Sequence, residues 1–404
     1  MKTRVAVFFG GRSPEHDVSI VTGLQAMEAL DQDRFSSFPV YVAPDGKWFI
    51  GDALRHRNNY LPREATAKTL EGVALDLWPN IDGKGRLLPT KPGGVFSKPK
   101  PVEFDVALLA FHGLFGEDGR MQGLFEIANV PYTGMRPLAS SVFMDKDITK
   151  RVLANTGIEL LPSVILERPT GGLLPSPQQV EKSLSGMSFP VIVKPSHLGS
   201  SIGVTRATSL DELRGGLSVI FRLDTHAIVE PFVENLVEYN VAVRRSSDGV
   251  LTSAIERPKT DQDLLDFKAK YLSGGSGSKG GKGSKQPGAI SQGMLSLTRE
   301  INPRLDPTLS SKVHEWAKIC YSVVYGTGAP RIDFLCNSKT GELWLNEVNP
   351  CPGSFGYFLW EASSRPLLFS ELLSSLIDEA FAAQRSIQLP PDPTHPEARL
   401  FARS

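Results

Sequence analysis

Short apolar runs alternate with stretches of helical spacing along most of the chain. Residues 4–9 are a near-continuous apolar run, residues 19–30 carry apolar positions three and four apart, and residues 37–42 form a second run. The two runs read as buried strands and the stretch between them as an amphipathic helix. Further strand signals at 104–110 and 131–132 flank a helical pattern at 121–128. Strands alternating with helices predict an open parallel sheet for the first third of the chain. A second block opens near Asp145 with a helix to residue 156, then strands at 164–166 and 191–194 around a helix near 178–184. A third block has strands at 227–230, 239–244, 332–336 and 343–347 and long helices at 309–325 and 368–383.

These blocks predict an α/β chain of three domains, at 1–142, 143–229 and 230–388, with a Pro-containing tail at 389–404. Residues 51–101, rich in Arg, Pro, Gly and Lys, break the alternation and read as an insertion carried on the surface. Residues 273–288 form a Gly/Ser/Lys tract.

Composition narrows the class. At 404 residues the chain exceeds one ordinary domain, so domains sharing a cleft are expected. Lys+Arg and Asp+Glu balance at 44 each, so no whole-molecule field draws it to nucleic acid or an anionic membrane. The apolar run after Met1 ends at Gly10-Gly11, too early for a signal peptide, and no window is long enough to span a bilayer. Cys320, Cys336 and Cys351 include no CxxC pair, which fits a reducing, cytoplasmic location.

Several segments carry potential chemistry. Arg331-Ile332-Asp333 and the later Asn346-Glu347-Val348-Asn349 sit beside apolar strands. Glu347 and Asn349, two apart, share a face of an extended chain. With Asp333 they make three hard oxygen donors of the kind magnesium takes beside nucleotide phosphates. They read equally as ordinary strand-end charges. Lys194 ends an apolar strand, and Gly199 to Gly203 follow in a loop with small hydroxyl residues. Glycines let backbone N–H groups approach phosphate closely, although such loops are often plain turns. Lys146 opens a helix, and Glu230 ends a strand ahead of Phe232, Val233 and Glu238. Residues 10–19 and 111–119 are two more strand–loop junctions, bearing Glu15 and His112, where open parallel sheets bind ligands.

Taken in order, GGRSPEHDVS (10–19), FHGLFGEDGRMQGLFEIANVPYTG (111–134), MDKDITKRVL (144–153), FPVIVKPSHLGSSIGV (189–204), FKAKYLS (267–273) and RIDF…LNEVNPCPG (331–353) resemble the D-alanine–D-alanine ligase family. The resemblance spans residues 4 to about 380. It implies the three-domain ATP-grasp fold: a substrate domain (1–142), then two ATP-grasp subdomains (143–229 and 230–388) with ATP between them and a lid loop at 267–288. It implies a cytoplasmic enzyme that uses ATP and Mg2+ (or Mn2+) to activate one amino acid as an acyl phosphate for attack by the amine of a second. D-alanyl-D-alanine for peptidoglycan is the implied product. An amine other than D-alanine as acceptor, or a non-catalytic nucleotide-binding regulator, are the alternatives, and a homodimer is the implied assembly.

By motif match, Lys146 and Lys194 resemble the phosphate lysines and Lys270 the lid lysine. Glu230, Phe232, Val233 and Glu238 resemble the adenine and ribose contacts. Asp333, Glu347 and Asn349 resemble the metal ligands, and Arg331 the arginine that steadies the acyl phosphate. Glu15 resembles the carboxylate holding the first substrate's ammonium, with His112 and Gly353 nearby and Ser200 and Tyr271 as hydrogen-bonding partners. The chain departs from the family after Gly353, where residues 354–361 are short and aromatic. The usual stretch is longer and hydroxyl-rich, so an altered acceptor pocket is expected there.

Overall fold

The computed structural model describes residues 2–60, 70–78, 82–91, 100–172, 174–184, 186–259 and 299–387. Three sheets follow one another along the chain. The first comprises β1 (Thr3–Gly10), β2 (Phe35–Val42), β3 (Trp48–Ile50), β4 (Glu71–Leu75), β5 (Gly85–Pro89), β6 (Val102–Phe104) and β7 (Val106–Leu109), in spatial order β6-β5-β4-β3-β2-β1-β7. The expected parallel sheet is its β2-β1-β7 part, and the strands beyond β2 extend it with antiparallel pairings.

β1 is apolar from Val5 to Phe9 because both of its faces are covered there. Val5, Val7 and Phe9 pack with the helices His16–Ala29 and Phe369–Ile387, while Ala6 and Phe8 join Phe104 and Phe125 on the other side. The C-terminal helix, grouped with the last block by sequence position, thus buries Leu372, Leu376 and Ile377 against the first sheet.

The stretch read as a surface insertion is, where described, part of this sheet. It supplies β4, β5 and the 3-10 turn Asp52–Arg55, and Leu54 and Leu87 are fully buried. Short strands spaced by Pro and Gly lack the length to register in a periodicity reading, so the correction comes from pairing alone.

The second sheet comprises β8 (Val164–Glu167), β9 (Val191–Pro195), β10 (Thr205–Ala207) and β11 (His226–Pro231), in order β10-β9-β11-β8. The third comprises β12 (Leu236–Ser246), β13 (Gly249–Pro258), β14 (Arg299–Ile301), β15 (Arg331–Asn337) and β16 (Leu343–Asn349), in order β14-β13-β12-β15-β16. Each buries one face under helices. Val191, Val193 and Val229 meet the helices Pro177–Leu184 and Leu210–Ile220, and Val241, Ile332 and Phe334 meet the helix Pro307–Val323. Side chains alternate across a strand, so Lys194 and Glu230 leave the second sheet, and Asp333 the third, on the uncovered faces. A cleft separates those faces.

Candidate active site

The cleft holds about 760 Å³, counting its open mouth, and Lys146, Lys194, Glu230, Phe232, Glu238 and Glu347 are among its walls. Val233 lines it as well. In its depth, Lys194 Nζ lies 2.7 Å from Glu230 Oε2 and donates to Asn346 Oδ1 at 2.8 Å. Lys150 Nζ contacts the other Glu230 oxygen and donates to the Leu161 carbonyl at 2.7 Å. Burial alone would raise the Glu230 carboxyl, but the ammonium groups of Lys194 and Lys150 hold it below its ordinary range. Lys150 is lowered in turn, chiefly by burial. Lys146 Nζ lies 3.2 Å from Glu347 Oε2 and donates to the Leu198 carbonyl at 2.7 Å. At the mouth, the Arg206 guanidinium stacks 4.4 Å from the centre of the Phe232 ring.

The reach of β16 into the cleft depends on an irregularity. Asp333 pairs with Glu347 and Phe334 with Leu345, leaving Asn346 as an extra residue. Such a bulge re-aims side chains. Leu345 and Val348 stay buried, whereas Asn346 and Glu347 both line the cleft, one on Lys194 and the other on Lys146.

Beside them, Arg331 grips Asp333 with two hydrogen bonds of 2.6 Å, and Asn349 Nδ2 donates to Asp333 Oδ2 at 3.0 Å. Arg331 and Asn349 are themselves a cross-strand pair. Asp333, Glu347 and Asn349 thus sit on neighbouring, paired strands, and each carries a side-chain oxygen. That donor chemistry fits magnesium or manganese.

A third group of residues joins the first sheet to the cleft. The Ser200 hydroxyl donates to Glu15 Oε1, across a sequence separation of 185. Glycines permit that approach: a Cβ at Gly113 would come within 2.7 Å of Glu15 Oε2, and one at Gly199 within 3.3 Å of both carboxylate oxygens. Ser200 and Ser201 sit at φ of 52° and 59°, a conformation that costs energy and clusters at functional sites. Glu117 accepts from the backbone N–H of Gly113 and of Cys351, each at 2.9 Å, and so fastens the 111–119 loop to the end of β16. Burial, with the Glu15 charge adding to it, raises the Glu117 carboxyl well above its usual value. His112 shares a 2.8 Å hydrogen bond with the Thr22 hydroxyl and is pushed down to about 4 by burial, so it is neutral at physiological pH.

Gly353 opens a 3-10 turn in which Ser354 and Phe355 adopt left-handed φ of 44° and 57°. The Ser354 N–H donates to the Thr22 hydroxyl at 3.0 Å, tying the turn to the helix His16–Ala29. The aromatic segment does not line the cleft: Phe355, Leu359 and Trp360 are buried in the core shared with β1. These rings turn inward because apolar surface gains more from that core than from water, and Phe355 also lines a small cavity with Phe111, Glu117 and Cys351.

Of the residues singled out in the sequence, the structure brings Lys146, Lys194, Glu230, Phe232, Val233, Glu238 and Glu347 into one cleft, Arg331, Asp333 and Asn349 into one cluster, and Glu15 against Ser200. Lys270, Tyr271 and the lid at 267–288 lie outside the described residues. Lys150, Asn346, Thr22 and Glu117 were missed. Only Lys150 had a local signal, since it stands four residues from Lys146 on one helix face.

Two sheets facing across a cleft of buried lysines and carboxylates, with a glycine loop along one wall, define an ATP-grasp ligase. The chain belongs to the D-alanine–D-alanine ligase family. The family model for the D-ala D-ala ligase N-terminus matches residues 4–135, and that for the C-terminus matches residues 152–282 and 294–378. A D-alanine--D-alanine ligase of Thermosipho africanus is 32% identical over 94% of this chain and 93% of its own length. D-alanine--D-alanine ligase A of Bradyrhizobium diazoefficiens is 32% identical over 96% and 97%. The solved D-alanine-D-alanine ligase of Coxiella burnetii superposes with a TM-score of 0.73 over 95% of each chain, at 23% identity, and so shares the fold. No helix among the described residues is long and apolar enough to cross a membrane.

Proposed function

We propose that this chain joins two D-alanine molecules into D-alanyl-D-alanine for peptidoglycan, in the cytoplasm and at the expense of ATP. The observation that carries this reading is the Glu15–Ser200 contact, which brings an amino-acid-binding carboxylate to the glycine loop beside the lysine-lined cleft. The names of the relatives supply the substrate.

Lys146 and Lys194 offer their charge to the nucleotide phosphates. The Glu230 carboxylate is committed to two lysines, so the link between β11 and β12 offers adenine its backbone and the Phe232 and Val233 side chains. Glu238, further along the wall, faces the ribose hydroxyls. Asp333, Glu347 and Asn349 would hold Mg2+ or Mn2+, which neutralises phosphate charge when bound.

The first D-alanine binds through its ammonium to Glu15. Its carboxylate oxygen attacks the γ-phosphorus, ADP leaves, and an acyl phosphate forms. The second D-alanine, having lost an ammonium proton, attacks the acyl carbon with its nitrogen, and inorganic phosphate departs as the amide forms. Arg331 stands where charge builds on the acyl oxygen and phosphate, the kind of fixed cation that favours a transition state. Neutral His112 contributes hydrogen bonding and no charge.

Phosphate release from Mg-ATP with D-alanine as the sole amino acid, with products identified by mass spectrometry, tests the reading. D-alanyl-D-alanine at steady turnover is expected. ATP hydrolysis without dipeptide, or no turnover until another amine is added, overturns it.

A further inference from the structure

A knot of charge lies behind the glycine loop, away from the reacting groups. His197, at the start of that loop, places Nδ1 2.8 Å from Asp224 Oδ1 and Nε2 3.2 Å from Asp145 Oδ2. Its backbone N–H donates to the second Asp224 oxygen at 2.8 Å. Asp145 caps the helix Lys146–Leu153, accepting from the N–H groups of Asp147 and Ile148. The Ser196 hydroxyl donates to Asp145 at 3.1 Å, and the Lys146 N–H donates to the Ser196 carbonyl at 3.1 Å. Asp224 leads into β11, where the His226 ring stands edge-on to His197 at 5.6 Å.

One imidazole therefore joins the elements that carry Lys146 and Lys150, Lys194, and Glu230. The groups facing it are Asp145 from the helix, Asp224 and His226 from the approach to β11, and Ser196 from its own loop. A neutral imidazole has a single N–H and would turn a lone pair toward one of its carboxylates, whereas an imidazolium satisfies both. The hydrogen bonds that His197 donates to the Asp145 and Asp224 carboxylates outweigh burial and lift it to about 9.

We propose that protonated His197 is a positioning residue for ATP, clamping the glycine loop onto the helix of Lys146 and the strand of Glu230. The proposal rests on ATP occupying this cleft. His197, Asp224 and His226 also have the proximity of a metal site. Both His197 nitrogens are already engaged by carboxylates, which favours the clamp.

The test is ATP affinity by calorimetry, with KM and kcat alongside, from pH 7 to 10 in wild type, His197→Asn and His197→Arg. Wild-type affinity should fall about 5-fold as pH passes about 9. His197→Asn should be weaker by a similar factor at neutral pH, show no step near 9, and keep kcat within about 2-fold. His197→Arg, whose charge does not titrate in this range, should bind tightly throughout. NMR titration of the His197 imidazole without ATP should show a midpoint near 9.

The same pH step in His197→Asn, or an imidazole midpoint near the ordinary 6.5, overturns the clamp. So does ATP affinity that, after removal of all metals, returns with zinc but not with magnesium. Failure of wild type to bind ATP at all would instead refute the nucleotide reading, and the imidazole titration stands apart from it.

Discussion

Glu230 lies 2.7 Å from Lys194 and also contacts Lys150, so one buried carboxylate ties β9 to the helix bearing Lys146. Removing one partner of a buried ion pair strands the others without compensation, at about 3–5 kcal/mol. Glu230→Gln should therefore lower unfolding stability by that order in urea titration. A loss under about 1 kcal/mol would show that the lysines find other partners. The lysines hold this carboxyl below its ordinary range, so its contribution is present above the titration range of a free carboxyl and fades on acidification. The variant should lose stability less steeply than wild type as pH falls.

Asp333 and Glu347 face each other across β15 and β16. Asp333→Asn keeps the shape and removes the charge that pairs with Arg331 and that would hold the cation. Turnover should fall by about 100-fold or more, with a rise in the Mg2+ concentration needed for half-maximal rate. An unchanged magnesium requirement would remove Asp333 from the metal site.

Glu15→Gln should raise KM for the first D-alanine by about 10-fold or more, since a charged hydrogen bond is worth about 1.5–3 kcal/mol. Gly113→Ala offers a second check. Its Cβ would come within 2.3 Å of Ser13 Oγ and 2.7 Å of Glu15 Oε2, at a φ of +73°. Both variants should spare ATP affinity, and equal weakening for ATP would point to a general disturbance instead.

His112 is buried with its pKa pushed down to about 4. Between that value and the ordinary 6.5 the unfolded chain binds a proton that the folded protein refuses. Stability should therefore rise with pH across that window, by about 3 kcal/mol in all. His112→Asn should flatten this slope in denaturation series from pH 4 to 7. An unaltered slope would assign it to other groups.

Trp360 is 2% exposed and belongs to the core around β1. Trp360→Ala should cost about 3–5 kcal/mol of stability while leaving the choice of acceptor amino acid unchanged. A shifted acceptor preference at full stability would show that Trp360 shapes the acceptor pocket.

Local pattern was enough to show that Val5–Phe9 is a buried strand, that Lys194 ends another, and that glycine loops follow β1, β7 and β9. These features lie within a few neighbouring residues, and periodicity, glycine and chain order express them directly. Motif order then pointed to the family and to most of the cleft. Tertiary structure alone decided that Asn346 bulges so that Glu347 reaches Lys146, and that Lys150 shares Glu230. It also decided that β4 and β5 extend the first sheet and that Trp360 belongs to the core. Each of these depends on register or packing between segments far apart in the chain. Such partners are selected by the free energy of the whole fold, and nothing in the adjoining residues specifies them.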